Sequence, residues 1–223
     1  MEKERQLLVI FPHPDDEAFG VSGTISTHIK NGTPVTYACL TLGEMGRNLG
    51  NPPFTTREGL PHIRKKELQK AAKIMGIQDL RMMGYRDKTL EFENDEELTE
   101  MVSELIDELN PSLIISFYPG YSVHPDHEAT ARAVVRALRK LPGNERPKLH
   151  CVAFSKNHEE ELGKPDIVND VSAVFEQKLA TLRAHESQTG EMFKELDQNN
   201  QEILARLRTE KFWTYQWEND QVD

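Results

Sequence analysis

The sequence predicts an α/β fold, a Rossmann-like three-layer sandwich around a mostly parallel sheet. Short apolar runs alternate with longer stretches of helical period, the pattern of βαβ units. Gly, Pro and Asn-Gly punctuation falls at the borders between them. The 223 residues suit a single domain over 1–223, with no repeat, low-complexity segment or linker to divide them.

Leu7–Phe11 is the first strand, and residues 15–30 follow as helix, closed by Asn31-Gly32 as a C-cap. Pro34 opens a second strand over 35–42, rich in β-branched and apolar residues. Residues 43–61 hold four Gly, three Pro and no periodicity, and a loop of that length is commonly a lid or a binding segment. Pro61 starts a helix with Ile63, Leu68, Ala71, Ala72 and Met75 at helical spacing, ended by Gly76. Residues 80–83 make a weak third strand. Residues 96–109 make an amphipathic helix, with Leu98, Val102, Leu105 and Ile106 on one face, broken by Asn110-Pro111. The fourth strand is 113–118, the next helix 125–140 with Pro125 in its first turn, and the fifth strand 149–154. A short strand at 167–168 and helices at about 171–185 and 191–208 complete the regular elements. The end carries an anchoring segment with Trp213 and Trp217, and six frayed residues.

Charge narrows the function. With 27 Lys+Arg against 37 Asp+Glu the net charge is −10, which argues against a nucleic-acid partner, since such a surface needs a basic stripe. The one dense basic run, Arg64-Lys65-Lys66, reads as a solvated helix face. Cys39 and Cys151 sit in apolar runs without Cys-x-x-Cys spacing and read as buried reduced thiols. The apolar run at Leu7–Phe11 is too short for a signal peptide or a membrane span, so a cytoplasmic protein with no membrane partner is expected.

Two segments carry the chemistry: Pro12-His13-Pro14-Asp15-Asp16-Glu17 directly after the first strand, and His124-Pro125-Asp126-His127 shortly after the fourth. In the strand order 3-2-1-4-5 those strands are neighbours whose chains leave to opposite faces, and ligands bind in the crevice at that switch point. The two segments are therefore expected to meet in one cleft at the C-terminal ends of strands 1 and 4. A dinucleotide binder would place Gly-x-Gly-x-x-Gly after its first strand, whereas three carboxylates there repel phosphate and attract a cation. Two His with one or two Asp suit Zn²⁺, and a catalytic zinc takes three protein ligands and leaves a position for water. The spacings His13-x-x-Asp16 and His124-x-x-His127 let both members of each pair project from one turn. The metal acidifies water, a carboxylate beside it accepts the proton, and a second His protonates the leaving group. Taken alone, Asp15 or Asp16 is equally an N-cap, and a His before Pro is commonly structural. The pairing of the segments is what points to metal-assisted hydrolysis. His28, His62, His150 and His158 have no partner at useful spacing and read as surface or structural, while His185 is left open.

The paired motifs resemble those of the LmbE-like, or PIG-L, family of zinc-dependent N-acetylglucosamine deacetylases. The similarity continues through Thr41-x-Gly43-Glu44, Arg64-x-x-Glu67-Leu68, Gly84-Tyr85-Arg86-Asp87 and His185-x-Ser187-Gln188. It is greatest to the bacillithiol biosynthesis deacetylases, in particular their second paralogous type. The resemblance implies hydrolysis of the N-acetyl group of a small GlcNAc conjugate, foremost N-acetylglucosaminyl-malate, to acetate and a free amine. The alternatives are an amidase for a bacillithiol S-conjugate, a deacetylase of another GlcNAc-containing small molecule, and a non-catalytic sugar- or metal-binding module. It implies Zn²⁺, with Fe²⁺ accepting similar ligands, held by His13, Asp16 and His127, with Asp15 as general base. His124 would polarise or protonate at the amide, oriented and charged by Asp126. Glu44, Arg64 and Asp87 would face substrate, and a guanidinium at the start of a helix suits bidentate pairing with a malate carboxylate. A homo-oligomer, trimer or hexamer, is also implied. Some relatives carry a mobile Tyr two residues before His-Pro-Asp-His; that position is Ser122 here, with Tyr118 and Tyr121 nearest, so a Tyr role stays open. So does the choice between Asp15 and His124 as proton donor to the amine.

Overall fold

The computed structural model describes residues 1–196 and 201–223. Its strands are β1 (Leu7–Phe11), β2 (Val35–Cys39), β3 (Asp79–Met82), β4 (Leu113–Phe117), β5 (Lys148–Val152), β6 (Ile167–Asp170) and β7 (Thr209–Thr214). Among the described residues they form one seven-stranded sheet in the order β3-β2-β1-β4-β5-β7-β6. The first five pair in parallel, with β1 between β2 and β4 and Leu7 opposite both Val35 and Leu113. The expected 3-2-1-4-5 order is therefore present, and the crevice it creates lies beyond Phe11 and Phe117.

Every residue of β1 is buried, because helices cover both faces of the sheet. Leu7, Val9 and Phe11 point one way, into a cluster with Val21 from the break between α1 (Asp16–Gly20) and α2 (Ser22–Lys30), Ile25 of α2, and Leu68 and Met75 of α3 (Leu60–Met75). Leu8 and Ile10 point the other way, onto Val102, Ile106, Val134 and Leu138 of α4 (Asp95–Leu109) and α5 (Pro125–Arg139). The period-two alternation of a strand thus feeds two cores from one five-residue run. Cys39 and Cys151 are buried and unpaired. No helix among the described residues is long and apolar enough to cross a membrane.

Three elements differ from the sequence reading. The single helix expected over 15–30 is two, because Val21 leaves the helical region at φ −142° and ψ −1°. The break separates a one-turn helix that carries the carboxylates from a longer one that packs on the sheet. The C-terminal Trp segment, expected as an anchoring segment, is in part a strand of the sheet. It begins in β7, which pairs antiparallel with both β5 and β6. Glu210 on β7 accepts the backbone N–H groups of Gly23 (2.9 Å) and Thr24 (2.7 Å) and pairs with buried Lys178 at 2.5 Å, so β7 also grips the start of α2. The final residues are not frayed, since Asp220 pairs with Arg139 at 2.7 Å and accepts the Tyr215 hydroxyl at 2.7 Å. The remaining helices are α6 (His158–Glu161), α7 (Phe175–Ala184), α8 (Glu186–Leu196) and α9 (Gln201–Leu207). The helix expected over 191–208 is thus matched by parts of α8 and α9, its middle lying outside the described residues.

Gly23 is required where α2 meets the C-terminal half, since a Cβ there would sit 2.6 Å from Cβ of Val171. Overpacking of this kind costs about 1–3 kcal/mol. Gly23→Ala is expected to lower the unfolding free energy by that amount in a denaturant titration. A loss under about 0.5 kcal/mol, the ordinary range of a surface change, would show that the contact relaxes freely.

Candidate active site

The turn after β1 is built on a buried carboxylate. Glu17 is fully buried; its Oε2 accepts the backbone N–H of Asp15 and the hydroxyl of Tyr37, each at 3.0 Å, and its Oε1 lies 2.6 Å from Nε2 of His185. These contacts hold Asp15 in the left-handed region at φ 94°, an uncommon conformation for a residue with a Cβ. Burial alone would push His185 down, but the Glu17 carboxylate outweighs it and raises the imidazole above its ordinary value. His185, left open from sequence, therefore supports the turn from beneath and does not line the cleft.

Arg64 completes that support. Only 3% exposed, it pairs with Asp15 Oδ2 at 2.8 Å, donates to the Gly43 carbonyl at 3.0 Å, and also donates to the Pro14 carbonyl. Gly43 must be glycine for this, because its φ is +60° and a Cβ would lie 1.7 Å from Arg64 Nη1. The basic run of α3 is thus split, Arg64 pointing inward and Lys65 and Lys66 outward. One turn further along α3, buried Glu67 accepts the N–H of Ser187 at 2.6 Å and its hydroxyl at 2.7 Å, which anchors the His185-x-Ser187 corner.

The second segment begins α5. Val123 is also left-handed, at φ 66°. His124 is the N-cap, and its Nδ1 accepts the Asp126 N–H at 3.1 Å, which leaves Nε2 to carry the proton of the neutral ring. His127 lies 3.1 Å through Nδ1 from the Ser122 carbonyl, and its ring stacks on Phe117 with centroids 4.1 Å apart. An Nδ1–H donated to a carbonyl presents the Nε2 lone pair for ligation.

The two segments meet as the sheet order requires. His13 Nδ1 is 3.2 Å from His127 Nε2 and 3.5 Å from Asp16 Oδ2, and His127 Nε2 is 3.3 Å from Asp16 Oδ1. At metal–ligand bonds of about 2.0–2.1 Å a tetrahedral Zn²⁺ sets its ligand atoms roughly 3.3 Å apart; the two histidine nitrogens have that spacing, and each has a different oxygen of the Asp16 carboxylate within 3.5 Å. His13, His124 and His127 also converge closely enough to share an ion, as do His13, Asp87 and Asp126. The far side of His13 is held by Asp126 and Asp87, each 3.1 Å from Nε2. The Asp126 carboxylate contacts His13 and the N–H groups of Lys88 (2.7 Å) and Leu90 (3.2 Å); its backbone N–H orients His124, and its charge favours the protonated form of that ring.

The charges are strongly coupled. Burial would lower His13, yet Asp126, Asp16 and Asp87 hold it well above its ordinary value. Burial would raise Asp16, yet His127 and His13 hold it far below the usual carboxylate range. Asp15 goes the other way: burial pushes it up to about 6 against the pull of Arg64, with Asp16 adding to the rise. Burial, with His13 and His127 nearby, lowers His124.

A cavity of about 270 Å³ opens over these groups, lined by His13, Asp15, Arg64, Asp87 and His124 together with Met45, Gly46, Arg47 and Lys88. Asp16, Asp126 and His127 lie against His13 behind that lining. Glu44 is the one expected site residue outside the group, half-buried and with no hydrogen bond to Oε2 among the described residues. The tyrosines face elsewhere, Tyr121 onto Glu161 at 2.9 Å and Tyr118 onto the Gln216 N–H at 3.4 Å. Sequence reasoning missed Arg47 and Lys88, which stand in aperiodic segments beside no recognisable motif. It also missed the roles of Tyr37 and Glu67, which read as ordinary strand and helix residues.

The PIG-L family pattern, described as GlcNAc-PI de-N-acetylase, matches residues 8–138. The chain belongs to this family. PIG-L relatives similar along nearly the whole length include a probable N-acetyl-alpha-D-glucosaminyl L-malate deacetylase 2 of Bacillus anthracis, 53% identical over 96% of this chain and 97% of that one. The protein of the same name from Bacillus subtilis is 52% identical over 96% of this chain and 99% of its own. Among solved structures, the N,N'-diacetylchitobiose deacetylase of Pyrococcus horikoshii superposes with a TM-score of 0.74 at 23% identity, covering 95% of this chain and 84% of that one. That likeness shows the PIG-L chain's fold.

The Glu17–His185 pair has a pH signature. Because folding raises the His185 pKa above 6.5, its contribution is complete below that value and is lost as pH climbs through the folded one. His185→Gln should therefore cost more unfolding free energy at about pH 5.5 than at about pH 9. Equal losses at both pH values would show that no proton is shared with Glu17.

Proposed function

We propose that the protein is a metal-dependent N-deacetylase that converts N-acetylglucosaminyl-malate to glucosaminyl-malate and acetate. The observation that carries this is the convergence of His13, Asp16 and His127 at 3.2–3.5 Å with Asp15 beside them at the cavity wall. Chains 52–53% identical over 96% of this one bear the name of that activity. Zn²⁺ or Fe²⁺ held by His13, Asp16 and His127 would supply Lewis-acid polarisation of the acetyl carbonyl and lower the pKa of water.

The chain's own groups divide the remaining work. Asp15, poised at about 6, accepts the proton of the attacking water, and a base near neutrality is effective at that task. Arg64 holds the Asp15 carboxylate in place and keeps it from drifting further toward the neutral acid. His124 presents Nε2–H at the cavity, where a hydrogen bond to the developing oxyanion stabilises it. The departing amine takes its proton from Asp15 or from His124. Asp126 and Asp87 fix the ring of His13 by binding its outer nitrogen, as carboxylates commonly do behind a ligating histidine.

The test is acetate release from N-acetylglucosaminyl-malate with metal content measured on the same sample. Asp15→Ala is expected to keep its metal and lose roughly 10²–10⁴-fold in kcat. Near-full turnover in that variant would remove Asp15 from the base role. On the acid side, the wild-type rate should fall as pH drops through about 6 and Asp15 protonates, with a bound dication moving that limb lower. A rate that stays flat from neutrality down to about pH 4, the ordinary carboxylate range, would contradict a raised base.

A further inference from the structure

Two cations on the cavity wall have no task in the chemistry above. Arg47, from the 43–61 loop, and Lys88, from the turn after β3, both line the cavity and both are exposed. Among the described residues neither side-chain charge has an ion pair or hydrogen bond. Arg64, the remaining cation of the lining, is buried against Asp15 and two carbonyl groups. Lys88 is further marked by its backbone, left-handed at φ 62° and tethered through its N–H to Asp126 Oδ2 at 2.7 Å. Strain of that kind in a residue other than glycine persists where the surroundings over-determine it. Here the tether is the carboxylate that also holds His13, so the backbone from which the Lys88 side chain springs is tied to the centre of the site.

An acidic substrate faces a difficulty in this cleft, whose wall already carries Asp15 and Asp87. A ligand with two further carboxylates needs opposing charge of its own, outside the groups that hold the metal and the base. We propose that Arg47 and Lys88 form that charge, a two-point clamp that selects conjugates whose aglycone is a dicarboxylate over neutral N-acetylglucosaminides. Arg47 supplies a planar edge suited to bidentate pairing with one carboxylate, and Lys88 a compact charge for the second. This rests on the deacetylase reading and names what sets its substrate. Among the described residues neither side chain pairs with His13, Asp15, Asp16, His124 or His127, so the effect of the clamp falls on KM more than on kcat.

The experiment compares acetate release from N-acetylglucosaminyl-malate and from methyl N-acetylglucosaminide. It uses the metal-loaded wild type, Arg47→Met, Lys88→Met and the double variant, with circular dichroism to check that each is folded. The clamp predicts that the wild type prefers the malate conjugate. Each single substitution should reduce the ratio of kcat/KM values roughly tenfold or more, mainly through KM. The double variant should lose most of the preference, and Arg47→Lys should retain part of it. Added salt should erode the preference of the wild type and leave that of the double variant unmoved. A double variant that keeps the wild-type ratio overturns the clamp and leaves the deacetylase reading standing. So does a wild type that cleaves both compounds without preference. Hydrolysis of neither compound by the metal-loaded wild type overturns both.

Discussion

A single buried carboxylate holds this site in shape. Glu17 accepts the N–H of Asp15, the hydroxyl of Tyr37 and the imidazole of His185, and through them fixes a left-handed turn that the chain would otherwise avoid. The turn sets Asp15 and Asp16 to different purposes. Asp16 faces the two histidines and is held far below the usual carboxylate range, while Asp15 faces Arg64 and the cavity and is raised to about 6. Neighbouring carboxylates with opposite shifts suit the proposed division of labour between ligand and base.

The fold concentrates negative charge to an extent that the net value of −10 does not convey. Asp15, Asp16, Glu17, Asp87 and Asp126 all lie at or just behind one cavity, and each has a cationic or imidazole partner close by. Those partners come from distant parts of the chain. Arg64 reaches in from α3, His127 from α5, and His185 from the corner after α7. Buried carboxylates without such partners would take up protons instead, so the site and the packing of three helices are one construction.

The central sheet was legible because its strands are short, apolar and bounded by turn residues. The meeting of the two motifs followed from the strand order, and His13, Asp15, Asp16, His124 and His127 indeed gather there. The C-terminal region was less legible. Thr209–Thr214 has the composition of a strand, but its place between β5 and β6 depends on antiparallel pairing with segments some 40 to 60 positions away. Local pattern does not carry that information. The break at Val21 was equally hidden, since the residues on either side suit a helix and local pattern gives no sign of the turn out of the helical region there.

The sequence by itself determined which chemical groups stand at the ends of β1 and β4 and that a parallel sheet would bring them together. Motif spacing within one turn is a local property, and strand order follows from the chirality of βαβ connections. Only the tertiary structure decided which atom of each group faces which partner. It placed the Asp126 carboxylate on His13, turned Arg64 inward onto Asp15 while its neighbours stayed in solvent, and left Glu44 outside the cavity lining. Those outcomes depend on side-chain direction and on the desolvation of charges by elements remote in sequence, and such quantities exist only once the chain has packed.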